Sequence, residues 1–69
     1  MSADSSEAMT RLAAYDAFAR DVRDELAQTS ERMEQLRLQG KAKSATYRQL
    51  FAIRSTLRDI DRRLAEHGL

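Results

Sequence analysis

The sequence predicts an all-α chain: an antiparallel two-helix hairpin that completes a four-helix bundle by homo-oligomerisation. Three observations lead there. Proline is absent and glycine occurs only as Gly40 and Gly68, while Ala, Leu, Arg, Glu, Gln and Met dominate; these residues lose least on entering a helix. Apolar residues on either side of Gly40 recur at steps of three and four, the spacing that lines one face of an α-helix. Finally, 69 residues with no cysteine and one histidine, His67, exclude disulfides and a His/Cys metal site. Association is then the remaining staple for so small a core.

Residues 1–69 read as one hairpin, with helix one over about 5–39, a turn over about 40–45 and helix two over about 46–67. Helix one starts near Asp4 or Ser5, where Asp4 and Glu7 have capping-box spacing. Its seam is a heptad, with Leu12, Ala19, Leu26 and Met33 at a and Tyr15, Val22, Thr29 and Leu36 at d. Phe18 at a flanking g position widens the stripe, which suits a bundle better than a two-stranded coiled coil. Glu7–Arg11 and Asp16–Arg20 are acid-first i,i+4 pairs. Gly40 supplies the left-handed stop, and Lys41, Ala42, Lys43 and Ser44 make the turn.

Helix two has two N-cap candidates, Ser44 and Thr46, the latter with Gln49 in capping-box position. Its seam is Leu50, Ile53, Leu57, Ile60 and Leu64, and Gly68 with Leu69 fits a Schellman ending. Folding about the turn pairs Met33 with Leu50, Thr29 with Ile53, Leu26 with Leu57, Val22 with Ile60 and Ala19 with Leu64. The expected hairpin core is Tyr15, Val22, Leu26, Met33, Leu36, Leu50, Ile53, Leu57, Ile60 and Leu64. Helix one outruns helix two, so Met9 and Leu12 stay uncovered. Each stripe is wider than one neighbour can bury. The expected assembly resembles, in fold only, the small plasmid-copy-control RNA-binding hairpin dimers.

Charge is segregated. Residues 1–40 hold five Arg against eight Asp/Glu, net −3, and residues 41–69 hold seven Lys/Arg against three Asp/Glu, net +4. Attraction between the two helices of one chain is the plain reading. The overall net charge of +1 gives no global case for nucleic acid.

The pattern points away from catalysis. There is no Cys nucleophile, no Gly-rich phosphate loop, and no histidine within helical reach of a serine. Asp21/Glu25 and Asp59/Asp61 read as ordinary surface charge, and His67 as a cap-region residue. No enzyme activity, cofactor, metal or small-molecule substrate is expected. The string Leu57-Arg58-Asp59-Ile60-Asp61-Arg62-Arg63-Leu64 resembles the opening of the helical chorismate mutases, where later helices supply a cationic substrate clamp. Here the resemblance covers eight residues, and the string is read as an amphipathic helix.

The most informative feature is the back of helix two. Tyr47, Phe51, Arg54, Arg58 and Arg62 lie on one side, with Phe51 about 150° from the seam at 100° per residue. Aromatics and arginines away from a core mark a contact surface. With Met9 and Leu12 they form the candidate partner or oligomer interface, meeting the acidic face of helix one (Asp21, Asp24, Glu25, Glu31) in a second copy. A different protein could fill the same role. The alternative is a small nucleic-acid-binding regulator, since arginines reach phosphates and aromatics stack on bases. Membrane-surface binding is disfavoured because the apolar face of helix two matches helix one. No apolar span or basic-then-apolar leader is seen, so the expected location is cytoplasmic, or exported by a signal not visible here.

Overall fold

A computed structural model describes residues 2–69, with side chains from residue 5 onward. Two helices, α1 (Ser2–Leu38) and α2 (Ala45–Glu66), pack against each other as an antiparallel hairpin. No strand occurs among the described residues. The hairpin is a rod of 59 × 17 × 15 Å, as expected when 37 residues at about 1.5 Å each set the long dimension.

Each helix ends where glycine lets it. Gly40 and Gly68 have φ of +74° and +80°, the left-handed region that other residues enter only at a cost. After α1, the Lys41 N–H donates to the Leu36 carbonyl at 2.8 Å and the Gly40 N–H to Arg37 at 3.0 Å. After α2, Leu69 donates to Leu64 at 2.9 Å and Gly68 to Ala65 at 3.0 Å. Both are Schellman pairs that satisfy otherwise orphaned carbonyls. The second includes its apolar contact, because Leu69 packs on the core cluster that contains Leu64.

The starts differ from the sequence expectation. The backbone is already helical at Ser2, so Asp4 lies inside α1 rather than at its head. The Asp4–Glu7 capping box itself rests on a side chain outside the described residues. Of the two caps proposed for α2, Ser44 is the one used. Its backbone is extended (φ −71°, ψ 158°), and its Oγ accepts from the Tyr47 N–H at 3.1 Å. Thr46 therefore falls in the first turn. Starting at Ser44 brings Ala45 and Thr46 into the helix and satisfies an N–H that Thr46 as cap would leave outside. Ser44→Ala should lower stability by about 1 kcal/mol, read as a smaller urea midpoint with an unchanged slope. An unchanged midpoint would mean that the cap contributes nothing.

The core runs along the facing seams. Ala19, Val22, Leu57 and Leu64 form one buried cluster, with Leu26, Ile60 and Leu69 packed on it half-buried. Thr29, Met33 and Leu36 are buried nearer the turn. The cluster agrees with the register in which Ala19 faces Leu64 and Val22 and Leu26 face Leu57 and Ile60. A bridge between Arg23 Nε and Asp61 Oδ1 at 2.7 Å fixes the same register from the side.

Two residues expected in the core are outside it. Tyr15 is 52 % exposed and Ile53 46 % exposed. Tyr15 lies on the seam where α2 runs out, so little remains to cover it. Ile53 is exposed because α2 is turned on its axis by roughly 30° from the expected seam. Tyr47, Leu50, Arg54 and Asp61 are half-buried, while Ile53 opens to solvent. On the side of α2 that the rotation brings inward, Asp61 is bridged by Arg23 and Arg54 is half-buried.

Candidate functional site: an open apolar face of the hairpin

The rotation of α2 gives the hairpin two unlike faces. One is closed by polar groups: Arg23 bridges to Asp61, and Arg54 is half-buried with its guanidinium carbon 5.3 Å from the centre of the Phe51 ring, a cation–π distance. The other face is open and apolar. At the mouth, where α2 ends on α1, a cleft of about 490 Å³ is lined by Tyr15, Phe18, Ile60, Leu64 and Leu69, with Arg63 and His67 at its border. A shallower hollow continues from Tyr15 and Phe18 to Ala14 and Arg11 on the overhang. Another lies further along α2 beside Ile53, Ala52, Thr56 and Leu57.

The residues chosen from sequence as an interface do not form one surface. Tyr47 and Arg54 are half-buried in the hairpin. Phe51 is exposed but is stacked by Arg54. Arg58 is exposed, and Arg62 is held by Asp59 on one side and by Glu66 at 3.4 Å on the other. Met9 and Leu12 stand exposed on the overhang of α1, past the end of α2. Sequence reasoning missed the contribution of Phe18, Ile60, Leu69, Arg63 and His67 to the mouth. Phe18 was the available signal: a large aromatic at g marks the flank on which the stripe is wider than its neighbour.

Charge inside the hairpin is not resolved as the segregation suggested. Among the described residues the one bridge between helices, Arg23–Asp61, takes a base from the acidic helix and an acid from the basic one. The remaining bridges are local: Arg37–Glu34, Arg62 to Asp59 and Glu66, and Arg63 to Asp59 at 3.3 Å. The Glu7–Arg11 and Asp16–Arg20 spacings carry no ion pair. The hydrogen bond from Arg62 holds the Asp59 carboxyl below its ordinary range, with the charges of Arg63 and Arg62 acting in the same direction. The hydrogen bond from Arg37 does the same for Glu34. The chorismate-mutase-like string thus has Asp59, Arg62 and Arg63 engaged with one another along a single helix.

Neither a family model, a curated protein nor a solved structure matches this chain. The site must therefore be read from its own chemistry. Among the described residues there is no cluster of three or more His, Cys, Asp or Glu placed to hold a metal ion. No described helix is long and apolar enough to cross a membrane. What the open face offers is carbon surface in separate hollows along the hairpin, the cleft at the mouth bordered by Arg63 and His67. Such surface gains free energy by leaving water, at about 25 cal/mol per Å² of apolar area.

Proposed function

We propose that the chain is a small non-catalytic helical interaction module that self-associates through its open face. The observation that carries this is the half-covered core. A two-helix chain leaves Tyr15 and Phe18 exposed beside buried Leu64, and Ile53 exposed beside buried Leu57. Exposed apolar surface of this kind marks contact sites, and two hairpins packed face to face bury what one cannot.

Sedimentation equilibrium over a wide concentration range tests it. The expected result is a discrete dimer or higher state. A folded monomer at every soluble concentration would overturn self-association. The nucleic-acid alternative draws less support, because the Asp59 and Glu66 contacts of Arg62 dilute the positive charge of the back of α2.

A further inference from the structure

We propose that the turn and the turn-proximal half of α2 form a binding surface for single-stranded nucleic acid, separate from the open apolar face. Lys41, Lys43, Arg48 and Arg58 meet the phosphates. Phe51, stacked by Arg54, is the platform for one nucleobase.

The first argument is the distribution of charge. From Lys41 to Arg58 the chain holds five basic side chains and no acid. Lys41, Lys43, Arg48 and Arg58 are exposed, and none of the five makes an ion pair among the described residues. The facing stretch of α1, residues 31–40, is neutral, with two Glu and two Arg. There Arg37 takes up Glu34, and Glu31 lies about 170° round α1 from the side that faces α2. Asp59 ends the acid-free run and is engaged by Arg62 and Arg63. The dilution of charge around Arg62 therefore stops short of this surface. Positive charge with no acid to answer it in the chain attracts a polyanion.

The second argument is placement. Arg48, Phe51 and Arg58 fall within an arc of about 80° on α2, and Arg48 to Arg58 covers about 15 Å of its length. Arg48 reaches back over the turn, where its Nη2 donates to the Lys43 carbonyl at 3.4 Å, so the turn lysines continue the row.

The third argument selects the partner. Phe51 is 52 % exposed, with the Arg54 guanidinium carbon 5.3 Å from its ring centre. Its neighbours one turn away on the same side are Arg48, Arg54, Ser55 and half-buried Tyr47, with no aliphatic side chain among them. A protein partner needs a dry apolar centre inside a polar rim, and this surface is rim without centre. Nucleic acid needs less: cations for phosphate and a ring on which a nucleobase stacks. The nucleobase must be unpaired to reach that ring, which calls for a single strand. Phe51 and Ile53 lie about 160° apart around α2, so the surface stays free when the open face is occupied.

Fluorescence anisotropy with a fluorescein-labelled oligothymidylate of about twelve nucleotides tests the proposal. Binding is expected to weaken with salt, with a log–log slope of about −3, since about four phosphate contacts contribute roughly 0.7 each. Arg48→Glu and Arg58→Glu should each weaken it by about tenfold or more, and Phe51→Ala by about tenfold with the slope unchanged. Arg20→Glu makes the same charge change on exposed α1 surface and should have little effect. Circular dichroism checks that every variant keeps its helices. No binding at about 50 mM salt overturns the proposal. Equal losses for Arg20→Glu and Arg58→Glu overturn the location. Undiminished binding by Phe51→Ala, or equal affinity for a duplex of the same length, overturns the single-strand assignment. Displacement of the oligonucleotide by an equal concentration of a polyglutamate peptide overturns nucleic acid in favour of an acidic protein segment.

Discussion

Replacing Leu57 by aspartate is expected to abolish the fold. Leu57 is buried in the cluster with Ala19, Val22 and Leu64, and Leu26 packs on the same cluster. A carboxylate there has no base in reach from the buried positions around it. Burying it unpaired, or protonating it, costs several kcal/mol. Domains of this kind have only about 5–15 kcal/mol in hand, and small ones lie at the low end. Far-ultraviolet circular dichroism should show most of the helix signal gone at room temperature. Ile53→Asp makes the informative control, because both residues belong to the apolar stripe read from the sequence but only Leu57 faces α1. The Ile53 variant should keep its helices. If the two variants melt alike, the rotation of α2 described above is wrong and the expected seam is the right one.

Met33→Ala should be the most costly truncation of a single side chain. Met33 has 2 % of its surface exposed and is the largest fully buried side chain among the described residues. Removing it costs the transfer energy of the lost atoms plus a cavity, about 2–5 kcal/mol together. Leu38→Ala is the matched comparison, since Leu38 is exposed just before the turn and should change stability by less than about 0.5 kcal/mol. Urea titrations of both proteins separate the outcomes. A midpoint for Met33→Ala equal to that of Leu38→Ala would mean that the turn end of the hairpin is loosely packed.

Much of the hairpin could be read from residue order because the signals were local. Gly40 and Gly68 mark helix ends through a backbone conformation they alone tolerate cheaply, and Ser44 marks a start through one hydroxyl. The register between helices follows once the reversal is placed, since apolar steps on both sides count outward from it. What could not be read was non-local. Apolar periodicity says which stripe is greasy but not how far its flanks tip inward. Here the flank of α2 that tips inward carries Asp61, bridged by Arg23, and half-buried Arg54, and none of these scores as apolar. Tyr15 continues the seam of α1 by every local criterion. Only the length of the other helix reveals that nothing lies opposite.

The candidate site was legible in the same partial way. Met9 and Leu12 were expected to stay uncovered, and both are exposed. The back of α2 was chosen for its aromatic and arginine content, but content does not show that Tyr47 and Arg54 already serve the hairpin. Net charge by half-chain was informative as a sum and misleading as a pairing. The sign of a helix does not say which of its residues point at the neighbour, and the bridge that forms joins the minority charges.

The turn has a consequence for how quickly the chain can reach this arrangement. A glycine stop at Gly40 and a serine start at Ser44 lie so close that the reversal is set by short-range hydrogen bonds alone. Closing that short loop loses little chain entropy. Each further layer of side chains then joins only slightly more distant parts of the chain, from Met33 back to Ala19 against Leu64. Pairing is expected to spread from the turn like a zip, on the microsecond-to-millisecond scale of helical proteins dominated by near-neighbour contacts. The mouth, farthest from the turn, closes last.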